Sequence, residues 1–374
     1  MRYFDYAATT PTDLAVLTLM HDIAKRYPGN PSSLHEAGIA AKKRYNQAKN
    51  AVAELLNTTR KNLIFTATGS EANNLAIQGF HRKHPSARIL TTAVEHKATL
   101  NACHHLKTTG ADVVVLAVTP KGEVDIDALK QHLTPGKHHF LSLIYANNET
   151  GTLLNWDAIQ TAIKPYDTTI HLDMIQVPLY HPLDFTSLKA DMVSLSAHKF
   201  HGPRGVGLLY VRNLDIIEPL IYGGNHEFKR RAGTENLPAI CGFAAALKTA
   251  QTQAKSHDNA TQRLAKRLLD KLDAFGVDYS LNGHPLNDAR LAAIINLGFG
   301  GVSADVLAFE LDRQGFYVSL GSACDAGNIE PSHVLSAMGV PSPYLEGSIR
   351  ISLGKDLTVD DVDALAEAIH TLTT

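Results

Sequence analysis

The chain alternates short apolar runs with stretches of helical periodicity, and this alternation constrains its fold more than any other feature. Seven runs are rich in β-branched residues, and they are LIFTA (63–67), RILTTA (88–93), VVVLAV (113–118), FLSLIYA (140–146), IHLD (170–173), MVSLSA (192–197) and VGLLYV (206–211). Most are apolar on both faces, which is typical of strands buried inside a mainly parallel sheet. Helical patterns lie between them, at 35–56, 71–83, 97–108 and 156–163. We therefore predict an α/β fold of three layers, with helices on both faces of a seven-stranded, mainly parallel sheet.

The pattern changes from about residue 236. A long helical stretch leads into a smaller α+β pattern, with strand candidates at 291–299, 316–320 and 348–353 and helix candidates at 304–314 and near 331–338. At 374 residues the chain is also long for a single core. We predict a large domain over residues 15–255 and a small α+β domain formed by residues 1–14 and 256–374.

Composition excludes several classes of function. Hydrophobic residues make up 44% of the chain and charged residues 19%, which is the mix of a soluble globular protein. The net charge of −2 gives no electrostatic support to binding of nucleic acid or of a membrane surface. No apolar run approaches the length of a bilayer span, and the first residues lack the apolar segment of a signal peptide.

The cysteines indicate a reducing compartment. Cys103, Cys241 and Cys324 are odd in number and far apart, so neither a disulfide framework nor a CxxC zinc site is expected. No HxxxH or Cys/His spacing argues for a metal either. We expect a cytoplasmic protein without a metal, in which Cys103 and Cys241 are buried structural cysteines.

The first chemical signal lies where strand 63–67 ends. There the sequence runs through Gly69 and Ser70 into a helix. Small residues let backbone amides approach an anion, and the helix start adds a partial positive charge, so a phosphate site is one interpretation. The other is that Ser70 is simply the N-cap of the helix.

Two more strand ends carry chemically capable side chains. Asp173 follows an apolar strand, with Gln176 shortly after it; a carboxylate there caps a helix, binds a metal, or holds a proton on a heterocyclic nitrogen. Lys199 ends the strand of SLSAHKFHGPRG, where most lysines are merely solvated but a shielded one bonds to a carbonyl cofactor. Together, a phosphate cradle, a carboxylate and a lysine are what pyridoxal 5'-phosphate requires.

Beyond these signals, the chain resembles a known family over nearly its whole length. The matching stretches are YFDYAATTP (3–11), GNPSSLH (29–35), EANNLAI (71–77), VEHKA (94–98), ANNETG (146–151), HLDMIQ (171–176), SAHKFHGPRGVG (196–207), RRAGTEN (230–236), GSACDAGNIEPSHVL (321–335) and SIRISLG (348–354). They are similar to the cysteine desulfurases of the iron–sulfur and nitrogenase-assembly type, within the class V aminotransferase group. The resemblance implies the fold of fold-type I pyridoxal phosphate enzymes.

The resemblance also implies roles around the cofactor ring. Lys199 would bond to the cofactor aldehyde and later shuttle the α-proton of the substrate. Asp173 would pair with the pyridine nitrogen, and Gln176 with the ring hydroxyl oxygen. His96 would stack on the ring and act as an acid or base, although a histidine there could also just begin a helix.

The phosphate and the substrate have their own implied ligands. The residues implied to hold the phosphate are Gly69, Ser70, Ser196 and His198. Thr234 would reach the phosphate of the neighbouring subunit's cofactor, which implies a homodimer. Arg350 would clamp the substrate carboxylate, and Asn148 would assist it and contact the cofactor. From the sequence alone, Arg350 could also be a strand arginine in a surface ion pair.

Cys324 would be the nucleophile. It would take sulfur from L-cysteine as a persulfide, release L-alanine, and pass the sulfur to an acceptor protein for iron–sulfur clusters or for tRNA or cofactor thiolation. The adjacent Asp325 carboxylate should raise the pKa of this thiol. Two alternatives stay open: a selenocysteine lyase or another pyridoxal phosphate lyase of a small amino acid, and a non-catalytic partner-binding or regulatory module on the same fold.

Overall fold

A computed structural model describes residues 2–320 and 331–373. Its strands are β1 (Arg2–Tyr3), β2 (Leu63–Thr66), β3 (Arg88–Thr92), β4 (Val113–Leu116), β5 (His139–Ile144), β6 (Thr168–Asp173), β7 (Met192–Ser196), β8 (Gly207–Val211), β9 (Tyr279–Asn282), β10 (Ile294–Phe299), β11 (Phe316–Tyr317) and β12 (Ser348–Ser352). Its α-helices are α1 (Leu14–Arg26), α2 (Glu36–Leu55), α3 (Gly69–Lys83), α4 (Lys97–Thr108), α5 (Ile126–His132), α6 (Trp156–Ile163), α7 (Phe185–Leu188), α8 (Leu237–Ala274), α9 (Ala304–Arg313), α10 (His333–Ala337), α11 (Ser342–Leu345) and α12 (Val359–Thr373).

The seven apolar runs form one sheet, in the order β2-β8-β7-β6-β5-β3-β4. β8 is antiparallel to both of its neighbours, and the other strand pairs are parallel. The predicted seven-stranded, mainly parallel sheet is therefore confirmed. Because β5, β6 and β7 run the same way, their carboxyl ends meet at one edge of the sheet, where Ile144 pairs with Asp173.

Burial of the sheet on both faces explains why its strands are apolar throughout. Along β2, Leu63 and Phe65 belong to one buried cluster, while Ile64 belongs to another. β5 behaves alike, with Leu141 in the first cluster and Phe140 in the second. Since successive side chains of a strand point to opposite faces, the two clusters are the two layers between sheet and helices.

The last third of the chain builds a second core. β9, β10 and β12 form an antiparallel sheet in the order β12-β10-β9, and β1 pairs in parallel with β11. Phe4 packs in this core. The long helix α8 contributes to both regions: Phe243 packs against the large sheet, and Leu268 packs in the core of the last third of the chain.

The predicted boundary between residues 255 and 256 falls inside α8, and the division into two domains stays a prediction. No helix in the part of the chain that the structure describes has the length and apolar character to cross a membrane.

Candidate functional site

The carboxyl edge of the large sheet brings together the strand ends singled out in the sequence. Asp173 ends β6, Ser196 ends β7, and Gly69 begins α3. A Cβ added at Gly69 would lie 3.1 Å from the Cβ of Ser196 and 2.4 Å from Cδ1 of Ile175. The start of α3 and the end of β7 thus approach so closely that only glycine fits between them.

Thr68, not Ser70, is the N-cap of α3. Thr68 has extended backbone angles, and its side-chain oxygen accepts a hydrogen bond from the backbone N–H of Glu71 at 3.0 Å. A cap residue must precede the helix in this conformation, whereas Ser70 already lies in the first turn. The expectation that Ser70 caps the helix is therefore wrong. Its exposed hydroxyl lies at the positive end of the helix dipole instead.

Asp173 is a buried carboxylate held by two donors. Its Oδ2 accepts from the Asn73 side-chain amide at 2.7 Å, and its Oδ1 accepts from the backbone N–H of Ile175 at 3.0 Å. The next described helix begins only at Phe185, so Asp173 does not cap a helix. Its orientation is fixed at the sheet edge, as a carboxylate that must meet one ligand atom requires.

Lys199 lies in a short turn after β7 and reaches the N-terminal segment. Its Nζ donates to the backbone carbonyls of Ala7 and Ala8, at 2.9 Å for Ala8. The Gln176 side-chain amide donates to the same Ala7 carbonyl at 2.9 Å. The N-terminal segment is thus a wall of the site. The sequence could not predict this role, because the contacts use backbone carbonyls, which every residue has.

His96 is the N-cap of α4, so the interpretation that this histidine begins a helix is correct. Its Nδ1 accepts from the backbone N–H of Ala98 at 3.0 Å, which places the proton of the neutral ring on Nε2. Burial lowers the pKa of His96; the Lys199 cation adds to this effect and Asp173 opposes it. His96 therefore lies within electrostatic reach of both predicted cofactor ligands.

His198 lies between the lysine and the N-terminal segment. Its Nδ1 is 3.2 Å from the Thr9 hydroxyl, and its carbonyl accepts from the backbone N–H of Thr10 at 2.8 Å. Burial, with Lys199 and Arg204 nearby, lowers the pKa of His198 to about 4. The ring is neutral at physiological pH and can donate to an anion only from its protonated nitrogen.

Arg350 on β12 is buried, with 3% exposure, so the alternative of a surface ion pair is wrong. Its Nη2 donates to Oδ1 of Asp5 at 2.7 Å, and its Nη1 donates to the Asn148 carbonyl at 3.1 Å. Asn148 therefore contacts Arg350 through its backbone. Arg350 Nε is buried without a partner among the described residues.

Cys324 lies outside the described residues, as does Asp325. The residues on either side of that segment meet the site. Before it, Ser319 pairs with Arg350 through the backbone. After it, Ser332 donates to the buried carboxylate of Glu149, and His333 Nε2 lies 2.9 Å from the Glu95 carbonyl.

Thr234 stands apart from these groups, exposed on the surface. Its segment is tied to the site at one point, where Nε of Arg231 donates to Oε1 of Glu71 at 2.8 Å in the first turn of α3. This placement fits a residue that acts on a neighbouring subunit.

The two described cysteines are buried, as the sequence predicts. Burial raises the pKa of the Cys103 thiol to about 12 and also raises that of Cys241. Both thiols are protonated at physiological pH, so neither is a ready nucleophile.

The residues present fit pyridoxal phosphate. The lysine amine, the oriented carboxylate and the start of a long helix meet at one sheet edge, and the close approach at Gly69 leaves the backbone amides of that helix uncovered by a side chain. An amine pairs with the aldehyde of this cofactor, a carboxylate with its ring nitrogen, and the N–H groups of a helix start with its phosphate.

Comparisons with known proteins agree with this geometry. Residues 2–365 match the family described as aminotransferase class-V. The chain is 38% identical to the cysteine desulfurase IscS of Dictyoglomus turgidum, over 98% of this chain and 93% of that protein. A NifS-like protein of known structure superposes with a TM-score of 0.91 at 32% identity, over 99% of each chain. A protein named SspA, solved in complex with cysteine, matches with a TM-score of 0.80 at 30% identity, over 95% of this chain and 99% of that one. The fold and the resemblance expected from the sequence are confirmed, and the chain belongs to the aminotransferase class-V family.

Proposed function

We propose that this protein is a cysteine desulfurase that uses pyridoxal 5'-phosphate. It converts L-cysteine to L-alanine and retains the sulfur on Cys324. One observation carries the proposal: Lys199 and Arg350 both contact the N-terminal segment, at Ala8 and Asp5, and Gln176, close in sequence to the oriented carboxylate of Asp173, contacts the same segment at Ala7. Relatives at 38% identity over nearly the full length carry the name of this activity.

Each cofactor ligand then has a task set by its chemistry. Asp173 would pair with the ring nitrogen, because its two donors fix the orientation of its carboxylate. Gln176 would contact the ring hydroxyl oxygen. The backbone at Gly69 and the side chains of Ser70, Ser196 and His198 bind the phosphate. When bound, the cofactor withdraws electrons from the substrate α-carbon.

Lys199 and His96 move protons. The Lys199 amine removes the substrate α-proton, from a position where the carbonyls of Ala7 and Ala8 orient it. His96 would lie against the ring, and its cap bond leaves the proton of the neutral imidazole on Nε2. Arg350, held beside Asn148, binds the substrate carboxylate.

Cys324 takes the sulfur. Its thiolate attacks the substrate sulfur, so that a sulfur–sulfur bond forms while the carbon–sulfur bond breaks. The electron pair of that bond stays with the carbon fragment, which gains protons to become alanine. The persulfide then passes to an acceptor protein for iron–sulfur cluster assembly or for tRNA or cofactor thiolation.

The same proposal includes a homodimer in the cytoplasm. Leu34 and Ile39 are exposed apolar side chains at the start of α2. On the same helix, Nζ of Lys42 lies 3.9 Å from Oε1 of Glu235, the residue that follows Thr234. An apolar surface beside Thr234 supports a second copy there, with Thr234 reaching its cofactor phosphate.

Mass spectrometry after incubation with L-cysteine tests the function. The expected result is one added sulfur on Cys324 together with free L-alanine, and neither product in Lys199→Ala. Cys103→Ala and Cys241→Ala should still carry the adduct, because both thiols are buried and protonated.

Other outcomes point elsewhere. Alanine formation that survives unchanged in Cys324→Ala would indicate a lyase of cysteine or selenocysteine without a persulfide. Protein that gains no cofactor absorbance when pyridoxal phosphate is added would indicate a non-catalytic module. An adduct on Cys103 or Cys241 would overturn the assignment of the nucleophile.

A further inference from the structure

We infer that Ser319 is a second side chain that binds the substrate carboxylate, beside Arg350. The inference rests on the proposed function, since it concerns how that site holds an α-amino acid. Ser319 lies just before the segment 321–330, which contains Cys324. Neither the sequence motifs nor the strand ends pointed to it.

The backbone places the two side chains together. Ser319 N–H donates to the Arg350 carbonyl at 3.0 Å, and Arg350 N–H donates to the Ser319 carbonyl at 2.6 Å. Two residues that exchange both bonds face each other in an antiparallel pair, with Cα atoms about 5.5 Å apart and side chains on the same face. Ser319 therefore presents its hydroxyl on the face where Arg350 presents its guanidinium.

Both side chains are buried, and each has a polar atom left over. Ser319 is 5% exposed and Arg350 is 3% exposed. Within residues 2–320 and 331–373, Ser319 Oγ and Arg350 Nε have no hydrogen-bond partner. A buried polar group without a partner is destabilising, so two of them side by side point to a ligand that completes both.

The contacts of Arg350 indicate which edge of the guanidinium faces that ligand. Asp5 takes one hydrogen of Nη2, and the Asn148 carbonyl takes one of Nη1. Nε and Nη2 lie on one edge of the guanidinium and form a fork that matches the two oxygens of a carboxylate, and the Nε–H of this edge has no partner among the described residues. Asp5 is thus a positioning residue, since its bond fixes the guanidinium plane while the fork stays open.

A carboxylate has lone pairs for more than two donors. Each of its oxygens accepts up to two hydrogen bonds, so the fork of Arg350 leaves acceptor capacity that a neighbouring hydroxyl can use. The Ser319 hydroxyl is such a donor, and it lies on the correct face. The ligand class that satisfies both residues is an α-amino acid bound through its carboxylate.

Ligands that differ only in the carboxylate test this role. The dissociation constants of L-cysteine and of cysteamine, which lacks the carboxylate, are measured from the cofactor absorbance of the loaded enzyme, alongside KM and kcat for alanine formation. Ser319→Ala should weaken L-cysteine binding and raise KM on the order of tenfold, as expected for a hydrogen bond to a charged group. Its cysteamine constant should equal that of the wild type.

Two variants and one stability measurement serve as controls. Ser319→Thr keeps the hydroxyl and should recover most of the lost affinity, and Ser336→Ala, at an exposed serine of α10, should change nothing. Thermal unfolding of Ser319→Ala shows whether the fold is intact. Equal weakening of both ligands, or unchanged cysteine binding, overturns the inference. A wild type that binds cysteine but forms no alanine contradicts the proposed function alone, and one that binds no cysteine contradicts both.

Discussion

Glu95 precedes His96 in the chain and carries a carboxyl group enclosed by protein. Its Oε1 accepts from the Thr92 hydroxyl at 2.6 Å, and its Oε2 has no partner among the described residues. Burial raises the pKa of Glu95 to about 8, and the nearby Asp173 adds to the effect. At neutral pH the residue before His96 is thus mainly a neutral carboxylic acid.

Replacing Glu95 with Gln should flatten the pH dependence of stability. The carboxyl titrates near 4.5 in the unfolded chain and near 8 in the folded one, so the folded state holds the extra proton between these values. Its contribution to the free energy of unfolding is complete below about pH 4.5 and is lost as the pH rises through 8. Urea unfolding of the wild type and Glu95→Gln at pH 5.5 and 8.5 measures this loss.

The wild type should lose more stability than Glu95→Gln over that interval. Glu367→Gln, at an exposed position of α12, should follow the wild type. Parallel curves for the wild type and Glu95→Gln would show that the Glu95 carboxyl is already ionised in the folded protein.

For single residues, the sequence predicts those whose reactive side chains stand at unusual positions. Lys199 and Asp173 could be found because an amine and a carboxylate at strand ends are unusual. Asp5 and Ser319 could not, because their importance comes from contacts with Arg350, which is distant from both in the sequence. Such pairings are set by tertiary structure and leave no local pattern.

At the start of α3, two neighbouring hydroxyl residues have different roles: Thr68 caps the helix, and Ser70 is expected to bind the cofactor phosphate. Thr68→Ala removes the side-chain bond to the Glu71 N–H and should lower the free energy of unfolding by about 1 kcal/mol. Ser70→Ala removes no cap and should leave stability within about 0.5 kcal/mol, while weakening binding of pyridoxal phosphate. Urea unfolding of the apoprotein and titration with cofactor measure the two effects. The reverse result, with stability lost at Ser70, would contradict the assignment of the cap.

Strands were predictable here, and the loops between them were not. A strand buried on both faces is apolar throughout, so β2 to β8 stand out in the sequence. By contrast, Glu227, Phe228 and Lys229 all have left-handed backbone angles, with φ of 44°, 55° and 64°. The Glu227 carboxylate is buried against Lys49 at 2.5 Å and against Tyr45, and this pairing holds the loop. Nothing local in the sequence marks a glycine-like turn there.

For the whole molecule, the exposed apolar residues predict assembly. Leu34 is 93% exposed and Ile39 is 59% exposed, which is unfavourable in an isolated subunit. We expect the wild type to sediment as a dimer. The double variant Leu34→Glu and Ile39→Glu should sediment as a monomer, because charges resist burial in the interface.

Phe309→Glu, at an exposed apolar residue of α9, is the matched control and should remain dimeric. Sedimentation velocity distinguishes the species, and cofactor titration shows whether the monomer loses the phosphate ligand expected from Thr234. A monomeric wild type would contradict the proposed dimer.

The N-terminal segment has a consequence for biosynthesis. Arg2 pairs with Phe316, Ala7 N–H donates to Ser352 Oγ at 2.9 Å, and Ala8 accepts from Lys199. Ser352 lies 345 residues after Ala7, so a ribosome makes the N-terminal segment long before the strand that holds it, and this segment cannot settle until β12 emerges. A nascent chain can therefore form the large sheet while its lysine still lacks the wall that orients it.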